Sequence, residues 1–187
     1  VPTSTTNAAL LNQACTYLGG PYDASRRWYS TGTVTPVLPY VYVVKRAYGK
    51  DFNARDFTFG ATLDSQPIGA YCAVVLGDNG AHEERIAMAG QSGIKKVSTD
   101  MELRFYVRAN TQHAEDCEDA MVSIVDSTLA LLRADKTMGS GGFEAGGFQI
   151  AETSPWLIWR KSKVVNHAGL SKGYVHFSTE AHFYVFA

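Results

Sequence analysis

Residues 100–135 read DMELRFYVRANTQHAEDCEDAMVSIVDSTLALLRAD, and the hydrophobic period changes in the middle of that stretch. Met101, Leu103, Phe105 and Val107 alternate with Glu102, Arg104, Tyr106 and Arg108. A period of two is the mark of a strand with one face in a core. Further on, Ala114, Cys117, Met121, Ile124/Val125, Thr128 and Leu131/Leu132 recur every three or four residues. That spacing gives one apolar stripe on a helix expected over 111–134. Asn110 or Thr111 is placed to cap it. Glu115, Asp116, Glu118 and Asp119 load its first turns, where exposed amides favour negative charge, and Arg133 and Lys136 close the other end. A long helix with a single apolar face must lie on a sheet or on another helix.

The flanking chain supplies both. Residues 5–18 predict a first helix, capped by Thr5 or Thr6, with Leu10, Leu11, Ala14, Cys15 and Leu18 on one face and Gly19-Gly20-Pro21 as its stop. Strands are expected over 40–46 (YVYVVKR) and 70–77 (AYCAVVLG). Asp78-Asn79-Gly80 then reads as a hairpin turn with a return over 82–89. After the helix come a glycine-rich turn or inter-subunit loop at 135–147 and a strand from Phe148 interrupted by Pro155. A turn is expected at Gly169–Gly173, then a closing strand from Tyr174 to Ala187. That strand sets Tyr174, His176, Ser178 and Glu180 on one parity and Val175, Phe177 and Thr179 on the other. The expectation is one α+β domain over 1–187. Its sheet is mostly antiparallel, with a mixed arrangement open, and a long helix and a shorter N-terminal helix pack on it. Two long loops, 21–39 and 47–69, stand outside this plan. The second is rich in aromatics, and a connection of that length without regular structure usually has a task, such as an arm on a neighbouring subunit; a hairpin or short helix of its own is the alternative.

The composition is that of a folded chain: 187 residues, 45% hydrophobic and 19% charged, with a formal charge of −1. Near-neutrality gives no sign of the basic face that phosphate binding needs, although Lys45, Arg46, Lys50 and Arg55 lie close together and read as loop charges. The three cysteines, Cys15, Cys72 and Cys117, are far apart in apolar segments, which predicts buried free thiols and a reducing site of synthesis. No run of about 20 apolar residues suits a membrane span. The opening VPTSTTNAALL lacks the basic-then-apolar layout of a secretion signal.

Motifs that carry chemistry are missing. No pair of histidines one helical turn apart brackets a glutamate, and no Gly-x-Ser-x-Gly elbow is present. The glycines after the long helix lack the Lys-Ser/Thr of a phosphate loop. His176 and His182 share strand parity but would stand about 20 Å apart, too far for one metal ion. The acids at 115–119 are accounted for by the helix end. The expectation is no catalytic residue, no cofactor and no metal site.

The opening helix, the strand GIKKVSTDMELRFYVRA from Gly93, the helix NTQHAEDCEDAMVSIVDSTLALLRA from Asn110 and the closing strand YVHFSTEAHFYVF together resemble the tail terminator proteins of long-tailed bacteriophages. The resemblance is one of pattern and extends over most of the chain, while the 21–39 and 47–69 segments are long for that family. It implies a structural virion protein, not an enzyme, that assembles into a ring, commonly a hexamer. The ring caps the finished tail tube, ends its polymerisation and joins it to the head connector. The implied partners are further copies of itself, the major tail tube protein and head-tail connector proteins, with no membrane and no sequence-specific nucleic acid, the passage of DNA through the lumen being left open. The implied location is the head-proximal end of the virion tail, after synthesis in the host cytoplasm. The family offers no catalytic motif to transfer. A head-completion, connector or tail tube subunit, and a small enzyme or ligand-binding domain, stay open beside it. Aromatic and arginine residues are enriched at binding hot spots, so Arg26, Arg27, Trp28, Tyr29, Phe52, Arg55 and Phe57 are the candidates for a subunit interface. The same aromatics would equally fill a satellite core of their own chain.

Overall fold

The computed structural model describes residues 7–31, 36–46, 68–89, 92–109, 115–142, 147–151, 160–161 and 170–185. Helix α1 spans Asn7–Gly19, followed by the short strands β1 (Tyr22–Asp23) and β2 (Trp28–Tyr29) and by β3 (Val41–Arg46). Strands β4 (Ile68–Ala89) and β5 (Ser92–Ala109) precede helix α2 (Glu115–Ala134). The strands β6 (Phe148–Ile150), β7 (Arg160–Lys161) and β8 (Leu170–Val185) complete the chain. All eight strands belong to one sheet of order β1-β2-β3-β4-β5-β8-β6, with β7 also paired to β8. Only β3 and β4 run parallel; the other pairings among the described residues are antiparallel. The fold is therefore α+β with a mixed, mostly antiparallel sheet, as the sequence predicts.

The period-two reading of β5 holds on the core face, while on the other face Tyr106 is buried as well. Met101, Leu103, Phe105 and Val107 are fully buried, whereas Glu102, Arg104 and Arg108 on the other face are half-buried. Strand β8 repeats the pattern, with Val175, Phe177 and Thr179 buried and Tyr174, His176, Ser178 and Glu180 half-buried. The two strands pair from Gly93↔Val185 to Arg108↔Leu170. Both helices lie on the core face, α1 over β3 and β4 and α2 over β5 and β8. Leu10, Leu11, Ala14, Cys15 and Leu18 of α1 join Cys117, Met121, Ile124, Val125 and Leu132 of α2 in one cluster with the inward side chains of the sheet. Each large side chain so buried contributes roughly 1.5–3 kcal/mol.

The helices are also tied to each other by polar contacts. Tyr17 Oη donates to Leu131 O at 3.1 Å, and Gln13 Nε2 donates to Met138 O at 2.8 Å. Two glycines allow the layers to close. A Cβ on Gly19 would stand 2.6 Å from Val44 Cβ, and one on Gly173 would stand 2.6 Å from Met121 Sδ. The opposite face of the sheet carries a smaller buried cluster of Val43, Tyr71, Ala73, Val75 and Tyr106, with Trp28 and Tyr42 packed on it.

Four expectations need correction. Asp78-Asn79-Gly80 makes no hairpin: β4 runs through it as one strand to Ala89. Its register against β5 moves from Leu76↔Met101 to Ala81↔Thr99, so the extra residues form a bulge. Pairing thereby continues on both sides of the bulge, and the ladder resumes as far as Ala89↔Ser92. Gly77 contributes, since a Cβ there would stand 2.7 Å from Asp100 Cβ. Residues 170–173 are not a turn but the start of β8, where Gly173 opposes Phe105 and admits Met121. The 21–39 segment is not wholly irregular, because β1 and β2 form a hairpin. Its loop is built on Asp23, whose Oδ1 accepts from Ser25 N at 2.9 Å, Ser25 Oγ at 2.6 Å and Arg26 N at 3.2 Å. Finally, Phe148 begins a strand of only three residues.

The glycine-rich segment after α2 closes a sheet edge. Ile150 N donates to Lys136 O at 2.9 Å, and Ser140 Oγ donates to Phe148 O at 2.8 Å while accepting from Phe148 N at 3.2 Å. The outer edge of β6 is thus satisfied within the chain, which blunts it as a template for another strand. The helix-capping residues Thr5, Thr6, Asn110 and Thr111, the 47–67 connection and the Pro155 region lie outside the described residues.

Candidate functional site: a cationic cleft beside the first helix

The exposed polar side of α1 and the β1–β2–β3 end of the sheet enclose an open cleft of about 560 Å³. It is lined by Asn12, Thr16, Tyr22, Arg27, Tyr29, Lys45 and Arg46. The local sequence explains how they meet. Asn12 and Thr16 are one turn apart on the side of α1 left free by the Leu11–Cys15–Leu18 stripe. Tyr22 and Tyr29 are register partners across the β1–β2 hairpin, their rings 5.0 Å apart and tilted by 51°. Arg27 closes the hairpin loop with a left-handed φ of 58°, and its amide donates to Asp23 O at 2.8 Å. Lys45 and Arg46 end β3, beside β2 through the Tyr29↔Val44 pair.

One side chain organises the floor. Asn12 Oδ1 accepts from Tyr29 Oη at 3.1 Å and from Arg46 Nη1 at 3.0 Å, fixing α1 to β2 and β3 together. Burial raises the Tyr29 phenol, with Arg46 acting in the opposite sense. Burial also pushes the Cys15 thiol, behind this floor, up to about 12 against the pull of Arg46. Complete burial also raises the Cys72 thiol well above its ordinary value. A thiol in that state is protonated near neutrality and is a poor nucleophile. Cys15, Cys72 and Cys117 are all buried thiols outside any disulfide, as expected from their segments.

What the cleft presents is positive charge with aromatic walls. The side chains of Arg27 and Lys45 are exposed and form no ion pair among the described residues. Arg26 differs, lying 3.8 Å from Asp23 Oδ2 and 5.3 Å from the Trp28 ring centre. Asp23 is held below the usual carboxylate range, first by the Ser25 hydroxyl and then by the loop amides and Arg26. Such a surface suits a carboxylate-rich or phosphate-rich partner through charge-assisted hydrogen bonds.

The residues expected at an interface divide. Arg27 and Tyr29 line the cleft, and Arg26 and Trp28 sit on the adjoining hairpin. Tyr29 belongs to the core of its own chain and shows only its hydroxyl end to the cleft, and Trp28 is half-buried against the reverse-face cluster. Phe52, Arg55 and Phe57 lie outside the described residues, as does Lys50 of the expected basic patch. Asn12, Thr16 and Tyr22 are additions from the structure. The i, i+4 polar pair on the side of the helix away from the Leu11–Cys15–Leu18 stripe is the signal that marks Asn12 and Thr16 beforehand. Lys45 and Arg46 stand at the end of the strand expected over 40–46.

His176 pairs opposite Glu102 and His182 opposite Lys96. Among the described residues no group of three or more His, Cys, Asp or Glu gathers as metal ligands, and no helix is long and apolar enough to cross a membrane. No protein-family model matches the chain, and a search of curated proteins finds no match.

Proposed function

We propose that this chain is a ring-forming structural subunit of the tail terminator kind, capping a phage tail tube and joining it to the head connector. The observation that supports this reading is how the segments of the resemblance combine. The strand from Gly93, the long helix and the closing strand form a single unit, β5 paired along β8 with α2 across both and α1 alongside. Strands β1 to β4 are added on one side of that unit, and β6 and β7 pair with β8 on the other. A ring of this kind is built from head-to-tail contacts that close on themselves and requires side surfaces more than a reaction centre. The test is to add the purified protein to polymerising tail tube subunits. Tubes of limited length with an extra ring of density at one end are expected, and tubes that grow as long and as blunt as without the protein would contradict the proposal.

The cleft favours a second reading, a domain that binds a small anionic ligand. A concavity with convergent polar groups is the usual form of a ligand site. Calorimetry with inorganic phosphate, citrate and nucleotides tests it, and micromolar binding of one of them by a monomer would favour it over the ring.

A further inference from the structure

We infer that the cationic cleft is one half of a contact between copies of this chain, and that its occupant is the exposed acidic face of α2 of the next copy. The inference rests on the ring-forming reading and names the surfaces by which the ring closes.

On α2, Glu115, Asp119, Val122 and Asp126 are exposed at three- and four-residue spacing, while Cys117, Ala120, Met121, Ile124 and Val125 face the core. Solvent therefore meets a ridge of three carboxylates around one apolar side chain, about 16 Å long at 1.5 Å per residue. The cleft has the complementary make-up: Arg27, Lys45 and Arg46 around the exposed ring of Tyr22. Among the residues whose side chains are described, four large hydrophobics are exposed; Tyr22 (54%) lies in the cleft and Val122 (44%) on the acidic ridge. Each face thus carries an apolar centre ringed by charge of one sign, and the signs are opposite. This is the arrangement that steers docking and fixes its register.

Topology makes the contact intermolecular. The cleft is at the α1, β1, β2 and β3 end, whereas α2 lies over β5 and β8 at the other side of β4. Two different patches on one chain define a heterologous contact, which closes into a ring when the rotation permits. Strand addition is a poor alternative at the edges described. Strand β1 has two residues, and the outer edge of β6 is occupied by residues 136–140.

The test uses two full-length double variants, Arg27→Glu with Lys45→Glu, and Asp119→Lys with Asp126→Lys, each checked for native circular dichroism. Association is measured by light scattering after gel filtration and by native mass. The wild type is expected to associate, and more weakly at high salt, whereas each variant alone is monomeric, with association weakened roughly tenfold or more per reversed charge. An equimolar mixture is expected to recover the wild-type mass, because reversed cleft and reversed ridge again match. The inference is overturned by variants that associate as the wild type does, by a mixture that stays monomeric, or by a monomeric wild type. It is also overturned if the cleft variant loses binding to a DNA oligonucleotide or inorganic polyphosphate while self-association is unchanged. Recovered association in a protein that leaves tail tubes uncapped would sink the tail role and keep the interface.

Discussion

Arg46 Nη1 lies 3.0 Å from Asn12 Oδ1, so the last residue of β3 is anchored to the middle of α1. The same oxygen accepts from Tyr29, and the cleft floor depends on this one acceptor. Asn12→Ala is expected to cost about 1 kcal/mol, since both donors keep some access to water. Asn12→Asp keeps the acceptor and is expected to hold or raise stability near pH 7. Urea unfolding of the two variants checks this, and equal losses would contradict it.

Close approach of α1 to β3 makes a second prediction. Gly19→Ala brings a methyl to within 2.6 Å of Val44 Cβ and 3.0 Å of Tyr29 Cβ, both near the backbone and unable to swing aside. The expected loss is roughly 1–3 kcal/mol. Gly173→Ala meets the flexible thioether of Met121 instead, so its loss is expected to be the smaller of the two. Thermal unfolding ranks them.

The turn after α2 should respond to acid. Asp135 accepts from Thr137 N at 2.8 Å and Thr137 Oγ1 at 2.6 Å through Oδ1, and from Gly139 N at 2.8 Å through Oδ2. These contacts, the Thr137 hydroxyl first, hold its carboxyl below the ordinary value. A folded-state pKa below the unfolded one gives stability that is present above the unfolded carboxylate range and lost as pH falls through the folded pKa. Asp135→Ala is therefore expected to destabilise near pH 7, by about 1 kcal/mol for this partly exposed group, and to approach the wild type as the Asp135 carboxyl becomes protonated in the folded chain. Melting temperatures from pH 7 down to pH 3 measure the convergence.

Cys15 and Cys72 are predicted to be inert in the folded chain. Complete burial and raised thiol pKa values leave almost no accessible thiolate at pH 8. Alkylation of both by iodoacetamide should follow the rate of unfolding, and fast labelling under native conditions would contradict the packing of α1 on β4.

Much of this architecture is legible in the chain because it is local. The alternation Met101, Leu103, Phe105, Val107 fixes the buried face of β5, and the stripe from Cys117 to Leu132 fixes that of α2. The misreadings arise where a tertiary partner overrides a local signal. Asn79-Gly80 favours a tight turn, yet continuous pairing with β5 absorbs it as a bulge. Gly173 looks like a loop residue and is a contact point for Met121. The cleft was the least legible feature: Asn12, Tyr22, Arg27 and Lys45 meet only because α1 docks on β3 and a short hairpin folds beside it. No spacing in the sequence encodes that meeting.

The central claim, assembly into a ring through contacts between two different faces of the chain, is tested most directly by native mass spectrometry of the purified protein across a range of concentrations. The account predicts a discrete closed oligomer, with negative-stain images showing rings. A mass equal to one chain at every concentration, with no rings even beside tail tubes, would contradict it.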